Sequence, residues 1–386
     1  MANKIKGKKY YDYSMAIIVM TLVAFGIFMV YSSSSYAAQL AKGDASYYVM
    51  RQARAAGIGF IIMIGVSLID YRFWLKWFTV PAYFVSLILC IYVDFFGDVI
   101  NGRRRWINIA GFSFQPSELA KVAMIMAMTI VLIKLGKKLN EWSGRLIVAT
   151  IAVPLIIAVL INSLSAAIIL FLIALIMYFV VTKRNRVLVI LGIIGLILVA
   201  VANYIKEPIA NFFLSTGLLK EYQLSRILTW VDPAAHPLDN GYQVLQGLYA
   251  IGSGGISGKG FGESIQKLGV LPEAQNDMIF AVICEELGFI GAFSLILLFG
   301  FLIFRLYVIA NSAPDLSGSL LVIGIMAHIS LQMIINIAVV CNLIPNTGVT
   351  LPFISYGGTS LIVMMGEVGL ALSVAHQIRK EQYRDL

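Results

Sequence analysis

Long apolar segments limit what this chain can fold into. We place about ten of them, each of roughly twenty residues, the length that an α-helix needs to cross the hydrocarbon core of a bilayer. Sixty per cent of the 386 residues are hydrophobic and only 13% are charged, outside the range of soluble globular proteins. The sequence therefore predicts an all-α, polytopic integral membrane protein, a single membrane domain over residues 1–386. The predicted spans are 15–35, 53–70, 75–94, 116–135, 146–162, 165–182, 187–204, 277–304, 319–340 and 356–376.

The distribution of basic residues predicts the orientation of these spans. An even number of spans places both termini on the same side of the membrane. The N-terminal lysines and the loops that alternate with the N-terminus hold more than half of the 29 lysines and arginines. Because short cytoplasmic loops are enriched in these residues, we predict that both termini are cytoplasmic, N-in and C-in. Residues 205–276 then form a long extracytoplasmic loop.

An acidic stretch opens the eighth predicted span. Residues 271–288 read LPEAQNDMIFAVICEELG, with Glu273 and Asp277 in the polar beginning and Glu285 and Glu286 further in. An ionisable residue within a membrane segment is costly enough to suggest a function, and we predict that Asp277 carries the chemistry. Glu285 and Glu286 lie about 12 Å further along if the helix is continuous. We expect them to be structural residues that hold this helix against its neighbours.

Three consecutive arginines, at 103–105, precede Trp106 in an outer loop. Arginines on the translocated side oppose the positive-inside tendency. One interpretation is a solvated turn on lipid headgroups, with Trp106 as an interfacial anchor. The other is a binding surface for a phosphate-bearing ligand, because guanidinium groups hold phosphates bidentately.

Glu118 and Lys121 follow this loop, at the start of the fourth predicted span. Their spacing of three residues places them on one face of a helix. They form either a structural ion pair that makes both charges tolerable in the membrane, or a site in which Lys121 supplies positive charge to a ligand and Glu118 orients it. The sequence leaves these two interpretations open.

The last outer loop, 342–360, contains two prolines and three glycines close to membrane depth. Non-helical backbone is tolerated there only where it lines a cavity or is buried in protein. Together with 101–121 and 271–277, this loop makes three outer segments with polar or irregular sequence. We expect the three to gather around one site at the outer leaflet.

At these segments the chain resembles the SEDS family (shape, elongation, division and sporulation), whose members include FtsW, RodA and SpoVE. The resemblance covers nearly the whole chain, and TLPF and LPEAQND look closer to FtsW or SpoVE than to RodA. The motifs that carry it are NGRRRWI…FQPSELAK, RILTWVDP, GYQVLQGLYAIGSGGISGKGFG, LPEAQNDMIFAVICEELGFIG and LPFISYGGTSLIV.

The resemblance implies a function and a set of site residues. SEDS enzymes polymerise lipid II into peptidoglycan glycan strands at the outer face of the bacterial cytoplasmic membrane, in cell division, elongation or sporulation. Asp277 matches the family's essential aspartate. The implied partners are a class B penicillin-binding protein, which crosslinks the strands, and membrane proteins of the divisome or elongasome, with no nucleic acid. We expect substrate binding by Arg104, Arg105, Trp106, Glu118, Lys121, Glu273, Ser355, Tyr356, Gly357 and Gly358.

Glycan extension requires a sugar hydroxyl to attack an anomeric carbon that carries a lipid pyrophosphate. A carboxylate at Asp277 can take the hydroxyl proton, a contribution of about 10²- to 10⁴-fold. Basic residues or a divalent cation, Mg or Mn, can stabilise the charge that develops on the pyrophosphate. Such an ion would be held by Asp277 and the substrate's phosphates, and no organic cofactor is expected.

A transporter is the alternative function, for example a flippase of a lipid-linked precursor. Acidic residues within the spans, such as Glu118, Glu285, Glu286 and Glu367, would suit one. Transporters, however, break helices near the midplane and line both halves of the path with polar groups. Here the polar and irregular sequence lies mainly on the outer side, which favours the enzyme.

Overall fold

The computed structural model describes residues 12–100, 103–109, 112–182, 185–216, 221–235 and 240–378. The N-terminal lysines used to predict orientation lie outside the described residues, as do Arg184 and the basic residues after 378. The described part of the chain contains thirteen α-helices, a 3₁₀ helix at Gly136–Asn140 and three short strands. The helices are α1 Tyr13–Lys42, α2 Tyr47–Leu68, α3 Tyr71–Phe96, α4 Pro116–Leu135, α5 Trp142–Leu160, α6 Leu164–Val181, α7 Asn185–Tyr204, α8 Lys206–Thr216, α9 Glu221–Val231, α10 Asn240–Gly254, α11 Ile279–Ser312, α12 Leu316–Val340 and α13 Gly358–His376.

The predicted spans correspond to helices of this fold. Within the described residues, nine helices are long and apolar enough to cross a membrane, or up to ten if one bent pair counts as a span. That pair is the seventh predicted span: α7 ends at Tyr204, and the chain turns by 82° into α8. The predicted loop 205–276 is itself about half helical, since it contains α8, α9 and α10.

A small antiparallel sheet is the one departure from an all-α fold among the described residues. Its strands are β1 Asp98–Ile100, β2 Arg103–Ile109 and β3 Phe112–Phe114, in the order β1-β2-β3. Side chains alternate between the faces of a strand. Arg104 and Trp106 therefore share one face of β2, and Arg105 lies on the opposite face.

Three helices form the centre of the bundle. In the most apolar window of each, 56% of α4, 61% of α12 and 72% of α13 is buried inside the protein, against 22% of α3. The polar side chains buried among these central helices must therefore satisfy one another, because neither water nor lipid can reach them.

The backbone of α11 breaks at Gly288, which has φ 65° and ψ −166°. Beside the break, the glycine-rich segment that follows α10 pairs with the opened helix. The amides of Lys259 and Gly260 donate to the carbonyls of Glu285 and Glu286 at 3.0 and 2.9 Å. The irregular segment after α10 is thus joined to α11 before it continues to residues 271–278.

Candidate active site

Asp277 lies in an irregular turn just before α11. The predicted span began at residue 277, but the helix begins two residues later, with Met278 as its N-cap and no side-chain cap. The carboxylate is therefore not used to cap the helix. The main-chain oxygen of Asp277 accepts from Nδ2 of Asn336 on α12 at 2.8 Å, and the same nitrogen donates to the oxygen of Val349 at 2.8 Å. Asn336 thereby fixes the acidic turn against the last outer loop.

The Asp277 side chain is 8% exposed and faces a row of amides. Nε2 of Gln243, on α10, donates to Oδ1 of Asp277 at 3.4 Å. Gln243 Oε1 in turn accepts from Nδ2 of Asn346 at 3.1 Å. The main-chain oxygen of Asn346 accepts a hydrogen bond from the Arg226 guanidinium at 2.6 Å. Segments far apart in sequence therefore converge on this carboxylate.

The surroundings raise the pKa of Asp277 to about 7, mainly because burial disfavours the charged form. The negative charge of Glu273 raises the pKa further, whereas Arg226 and the hydrogen bond from Gln243 oppose the rise. A carboxylate with a pKa near neutrality is suited to general base catalysis, because it is substantially ionised yet still basic enough to take a proton.

Arg105 and Asp277 both lie beside Gly348. A Cβ placed on Gly348 would be 3.8 Å from Oδ2 of Asp277 and 4.0 Å from an Nη1 atom of Arg105. Nε of Arg105 donates to the oxygen of Asn162 at 3.1 Å. The carboxylate of Asp277 and the guanidinium of Arg105 therefore border the same space beside Gly348. Arg105 also lines an open cleft between α3, α4 and α5.

Arg104 and Trp106 of the basic loop have other contacts. Arg104 is exposed, and its guanidinium donates to the oxygen of Phe95 at 2.6 Å and of Asp94 at 3.3 Å. It therefore satisfies carbonyls at the C-terminal end of α3. Trp106 is half-buried and pairs with Asp98 across the sheet.

Glu118 and Lys121 form an ion pair of 2.8 Å on α4. Both side chains are buried, at 5% and 2% exposure. Oε2 of Glu118 accepts from the Ser360 hydroxyl at 3.0 Å, and Nζ of Lys121 donates to Oε1 of Gln332 at 2.8 Å. These contacts favour the structural ion pair over a Lys121 that meets a ligand directly.

The predicted segment 355–358 forms the turn before α13. The amide of Tyr356 donates to the oxygen of Gln275 at 2.8 Å. Gln52 of α2 holds the same turn, with its Nε2 on the oxygen of Ser355 at 3.0 Å and its Oε1 accepting from the amide of Gly357 at 3.2 Å. Gly358, the next residue, begins α13. This turn therefore connects α2 to the acidic turn that carries Asp277.

Glu273 lies two residues before Gln275 in that acidic turn. It is exposed and has φ 53°, an unusual left-handed conformation for a non-glycine residue. Its carboxylate accepts a hydrogen bond from the Asn276 side chain. Its charge acts on Asp277 from the exposed side of the turn.

Glu285 and Glu286 are fully buried and both meet lysines from the irregular segment. Glu285 pairs with Lys259 at 2.6 Å and accepts from the Ser264 hydroxyl at 2.5 Å. Glu286 pairs with Lys267 at 2.8 Å and accepts from Ser32 of α1 at 2.6 Å. These contacts are of the kind that a structural role requires, although the pairing lysines come from the loop rather than from a neighbouring span.

Several polar residues of the site were not singled out from the sequence. Gln243, Asn346 and Asn336 are neutral amides, which lack the cost in a membrane that draws attention to charged residues. A signal did exist on α12, where His328, Gln332 and Asn336 follow one another at intervals of four residues and therefore share one face of an apolar helix.

No group of three or more His, Cys, Asp and Glu side chains could hold a metal ion in the described part of the chain. The carboxylates of Asp277 and Glu273 are the donors closest to the proposed chemistry. Magnesium requires six oxygen ligands, so an ion at Asp277 would depend on substrate phosphates and water for the others.

The helical bundle, with a buried carboxylate at the end of one long apolar helix, defines a multi-pass membrane protein with a candidate catalytic site beside its spans. A family model described as "Cell cycle protein", that of FtsW, RodA and SpoVE, matches residues 12–380. The chain belongs to the FtsW/RodA/SpoVE family, which confirms the resemblance predicted from its motifs.

Individual relatives support the same assignment. Stage V sporulation protein E of Bacillus subtilis (strain 168) is 38% identical over 95% of this chain and 98% of its own length. A protein of Geobacter sp. (strain M18), named probable peptidoglycan glycosyltransferase FtsW, is 37% identical over 96% of this chain and 98% of its own. The predicted enzyme class, peptidoglycan glycosyltransferase, is therefore confirmed by the names of such relatives.

Solved structures share the fold. A chain from a peptidoglycan synthase complex that coordinates polymerization and crosslinking matches with a TM-score of 0.74 and 29% identity, covering 96% of this chain and 99% of that one. The crystal structure of Thermus thermophilus rod shape determining protein RodA matches with a TM-score of 0.65 and 25% identity, over 98% of this chain and 99% of that one. The prediction of an all-α, polytopic membrane fold is confirmed.

Proposed function

We propose that this protein polymerises lipid II into peptidoglycan glycan strands, with Asp277 as the general base. The observation that carries the proposal is the buried Asp277 carboxylate, whose pKa is raised to about 7 and whose main chain is fixed by Asn336. A general base works best when its pKa lies near the working pH and its position is fixed, and Asp277 has both properties.

The reaction forms one bond and breaks another at the anomeric carbon of the donor sugar. The acceptor hydroxyl attacks that carbon while its proton passes to the carboxylate of Asp277. The bond from the anomeric carbon to the pyrophosphate oxygen breaks, and the lipid pyrophosphate leaves with the electron pair. Attack opposite to the leaving group inverts the configuration. Arg105, which lies beside Gly348 as Asp277 does, would stabilise the charge on the departing pyrophosphate.

A divalent cation, Mg or Mn, would supply further positive charge for the pyrophosphate. Asp277, with Glu273 on the exposed side of the turn, would hold it together with the substrate's phosphates. The substrate-binding roles of the turn 355–358 rest on its hydrogen bond to the acidic turn through Tyr356 and Gln275.

The site is proposed to face outward, at the outer leaflet of a bacterial cytoplasmic membrane, with both termini inside. The basic loops of the sequence support this orientation. The similar chain from a peptidoglycan synthase complex supports a class B penicillin-binding protein as the crosslinking partner, within the machinery of division, elongation or sporulation.

The decisive experiment measures glycan strands made from lipid II by the purified protein, with and without such a partner. Asp277→Asn keeps the side-chain volume but removes the proton acceptor, so polymer formation should be abolished. Asp44→Asn is a matched control, because Asp44 is an exposed aspartate in the loop between α1 and α2.

Near wild-type polymer from Asp277→Asn would eliminate this residue as the base. A protein that moves labelled lipid II across vesicles but never lengthens a strand would instead support the transporter. The buried ionisable side chains of Glu118, Lys121, His328 and Glu367 are the observation that keeps that second function open.

A further inference from the structure

A chain of polar side chains, most of them buried, joins the three central helices. Glu367 of α13 meets His328 of α12, with Nδ1 of the imidazole 2.8 and 3.0 Å from the two carboxylate oxygens. Nε2 of His328 lies 2.9 Å from Oε1 of Gln332. From Gln332 the chain of contacts continues to the Lys121–Glu118 pair of α4 and ends at Ser360 of α13. His328 and Glu367 take no part in the proposed chemistry.

The contacts of Gln332 determine which of its amide atoms faces His328. One end of the amide lies against the oxygen and the hydroxyl of Thr350, at 3.2 and 3.3 Å. A carbonyl oxygen can only accept, so this end must be the NH₂ group. The other end is therefore Oε1, which accepts a hydrogen bond from Nζ of Lys121 at 2.8 Å. Because this oxygen can only accept, its contact with His328 also requires a donor on the imidazole.

This requirement assigns the protons of the imidazole. Nε2 of His328 must carry hydrogen, because Oε1 of Gln332 cannot donate. One further proton is then shared between Nδ1 and the carboxylate of Glu367, and the pair is neutral overall wherever that proton resides. Glu367 thus holds the imidazole in the orientation that presents Nε2–H to Gln332.

Gln332 links this pair to the catalytic turn. Nε2 of Gln332 donates to the main-chain oxygen of Thr350, the residue that follows Val349. The main-chain oxygens of Val349 and Asp277 both accept from Nδ2 of Asn336. Gln332 and Asn336 are one helical turn apart on α12. The orientation of the Gln332 amide therefore helps to set the loop against which Asp277 is held.

We infer that His328, oriented by Glu367, is a positioning residue that acts on the Asp277 site through the hydrogen bond from its Nε2 to Gln332. The inference rests on the proposed catalytic role of Asp277. A different role would be one in which His328 only neutralises the buried carboxylate of Glu367. That role needs the contact of Nδ1 with Glu367 but not the hydrogen bond from Nε2 to Gln332.

Two isosteric substitutions separate these roles. The amide nitrogen of glutamine can occupy the place of Nε2, whereas that of asparagine reaches only the place of Nδ1. Both are made in the Glu367→Gln background, where no buried carboxylate is left unpaired. His328→Gln then keeps the donor to Gln332, and His328→Asn keeps only the bond to residue 367.

The assay is lipid II polymerisation by the purified protein, with kcat and KM determined separately and folding checked by thermal unfolding. We expect H328Q/E367Q to stay within about threefold of E367Q, and H328N/E367Q to lose about tenfold or more in kcat with KM unchanged, since transition-state positioning is lost and ground-state binding is not. Equal kcat values for the two double variants would overturn the inference.

If a double variant does not fold, the protonation of His328 is measured directly in the protein that retains this histidine. ¹⁵N NMR of the histidine-labelled chain, with His236 and His376 replaced by Gln, reports whether Nε2 of His328 carries hydrogen. A protonated Nε2 supports the inference, and a bare Nε2 overturns it. Failure of wild-type protein to polymerise lipid II would refute the proposed function instead, and the NMR result does not depend on activity.

Discussion

The raised pKa of Asp277 predicts how polymerisation depends on pH. Only the ionised carboxylate can accept the proton of the attacking hydroxyl. With a pKa of about 7, about one tenth of the protein is ionised at pH 6 and about nine tenths at pH 8. The rate constant kcat/KM should therefore rise about tenfold between these pH values and level off above pH 8, because kcat/KM follows the ionisation of the free enzyme.

The cause of the shift can be tested by removing one contribution to it. Glu273 raises the pKa of Asp277 by repulsion between two negative charges. In Glu273→Gln that repulsion is lost, the pKa falls, and the acidic limb of the profile moves to lower pH. The movement should be less than about one pH unit, because Glu273 is exposed and its charge is screened by water and salt. The larger contribution, burial of Asp277, remains.

Glu263→Gln is the matched control, since Glu263 is an exposed glutamate of the same irregular segment. The measurement is the initial rate of lipid II polymerisation at low substrate concentration from pH 5.5 to 9. A flat profile over this range would refute the assignment of Asp277 as a base that titrates near neutrality. A profile that moves equally in both glutamate variants would show that general surface charge, rather than Glu273, sets the pKa.

Three further predictions follow from the contacts around the site. Arg105→Lys should lower kcat/KM for lipid II about tenfold, because an ammonium cannot form the planar, bidentate contact of guanidinium. Gly348→Ala should cost about 1–2 kcal/mol of stability, since Gly348 has φ 69°, a left-handed conformation that is unfavourable for alanine. Glu286→Leu should lower stability by about 3–5 kcal/mol, because Lys267 would remain buried without its carboxylate, whereas Glu286→Gln should lose less.

Each of these has a measurement that can contradict it. Unaltered lipid II dependence in Arg105→Lys would mean that this guanidinium does not meet the pyrophosphate. A Gly348→Ala protein with the wild-type unfolding temperature would show that the turn tolerates alanine. A Glu286→Gln protein that is folded but as inactive as Asp277→Asn would show that Glu286 has a catalytic role rather than a structural one.

The membrane helices could be predicted from the sequence because the bilayer sets their length. The fourth span was predicted at 116–135 and is observed as Pro116–Leu135, since Pro116 favours a helix start and Gly136 favours an end. The turn after the seventh span could not be predicted. Asn203 at the end of α7 donates to the oxygen of Leu343, a contact between residues far apart in sequence.

Some charged residues near Asp277 attract attention in the sequence, whereas the neutral residues that contact Asp277 do not. Asp277 is conspicuous because a carboxylate beside an apolar helix is costly. Gln243 and Asn336 carry no charge, and their importance comes from partners 34 and 59 residues away. Sequence spacing reveals neighbours within a helix, but it does not show which amide meets which carbonyl between helices.

The prediction for Glu285 and Glu286 assumed one continuous helix from Asp277 onward. The helix instead begins at Ile279, so the distance from Asp277 to these carboxylates cannot be taken from the helical rise alone. It also breaks at Gly288, two residues after Glu286. The glycine-rich sequence explains the break. A Cβ on Gly258 would lie 2.2 Å from the oxygen of Glu286, and one on Gly288 would lie 2.3 Å from the nitrogen of Gly258.

This close approach of two backbones accounts for the paired glutamates. An irregular segment beside membrane helices needs partners for its polar groups, and its lysines need negative charge. Glu285 and Glu286 supply that charge at the beginning of the segment, through Lys259 and Lys267, while Asn336 holds its end at Asp277. Because the segment is anchored at both ends to the helical bundle, a carboxylate on non-helical backbone can keep the fixed position that proton transfer requires.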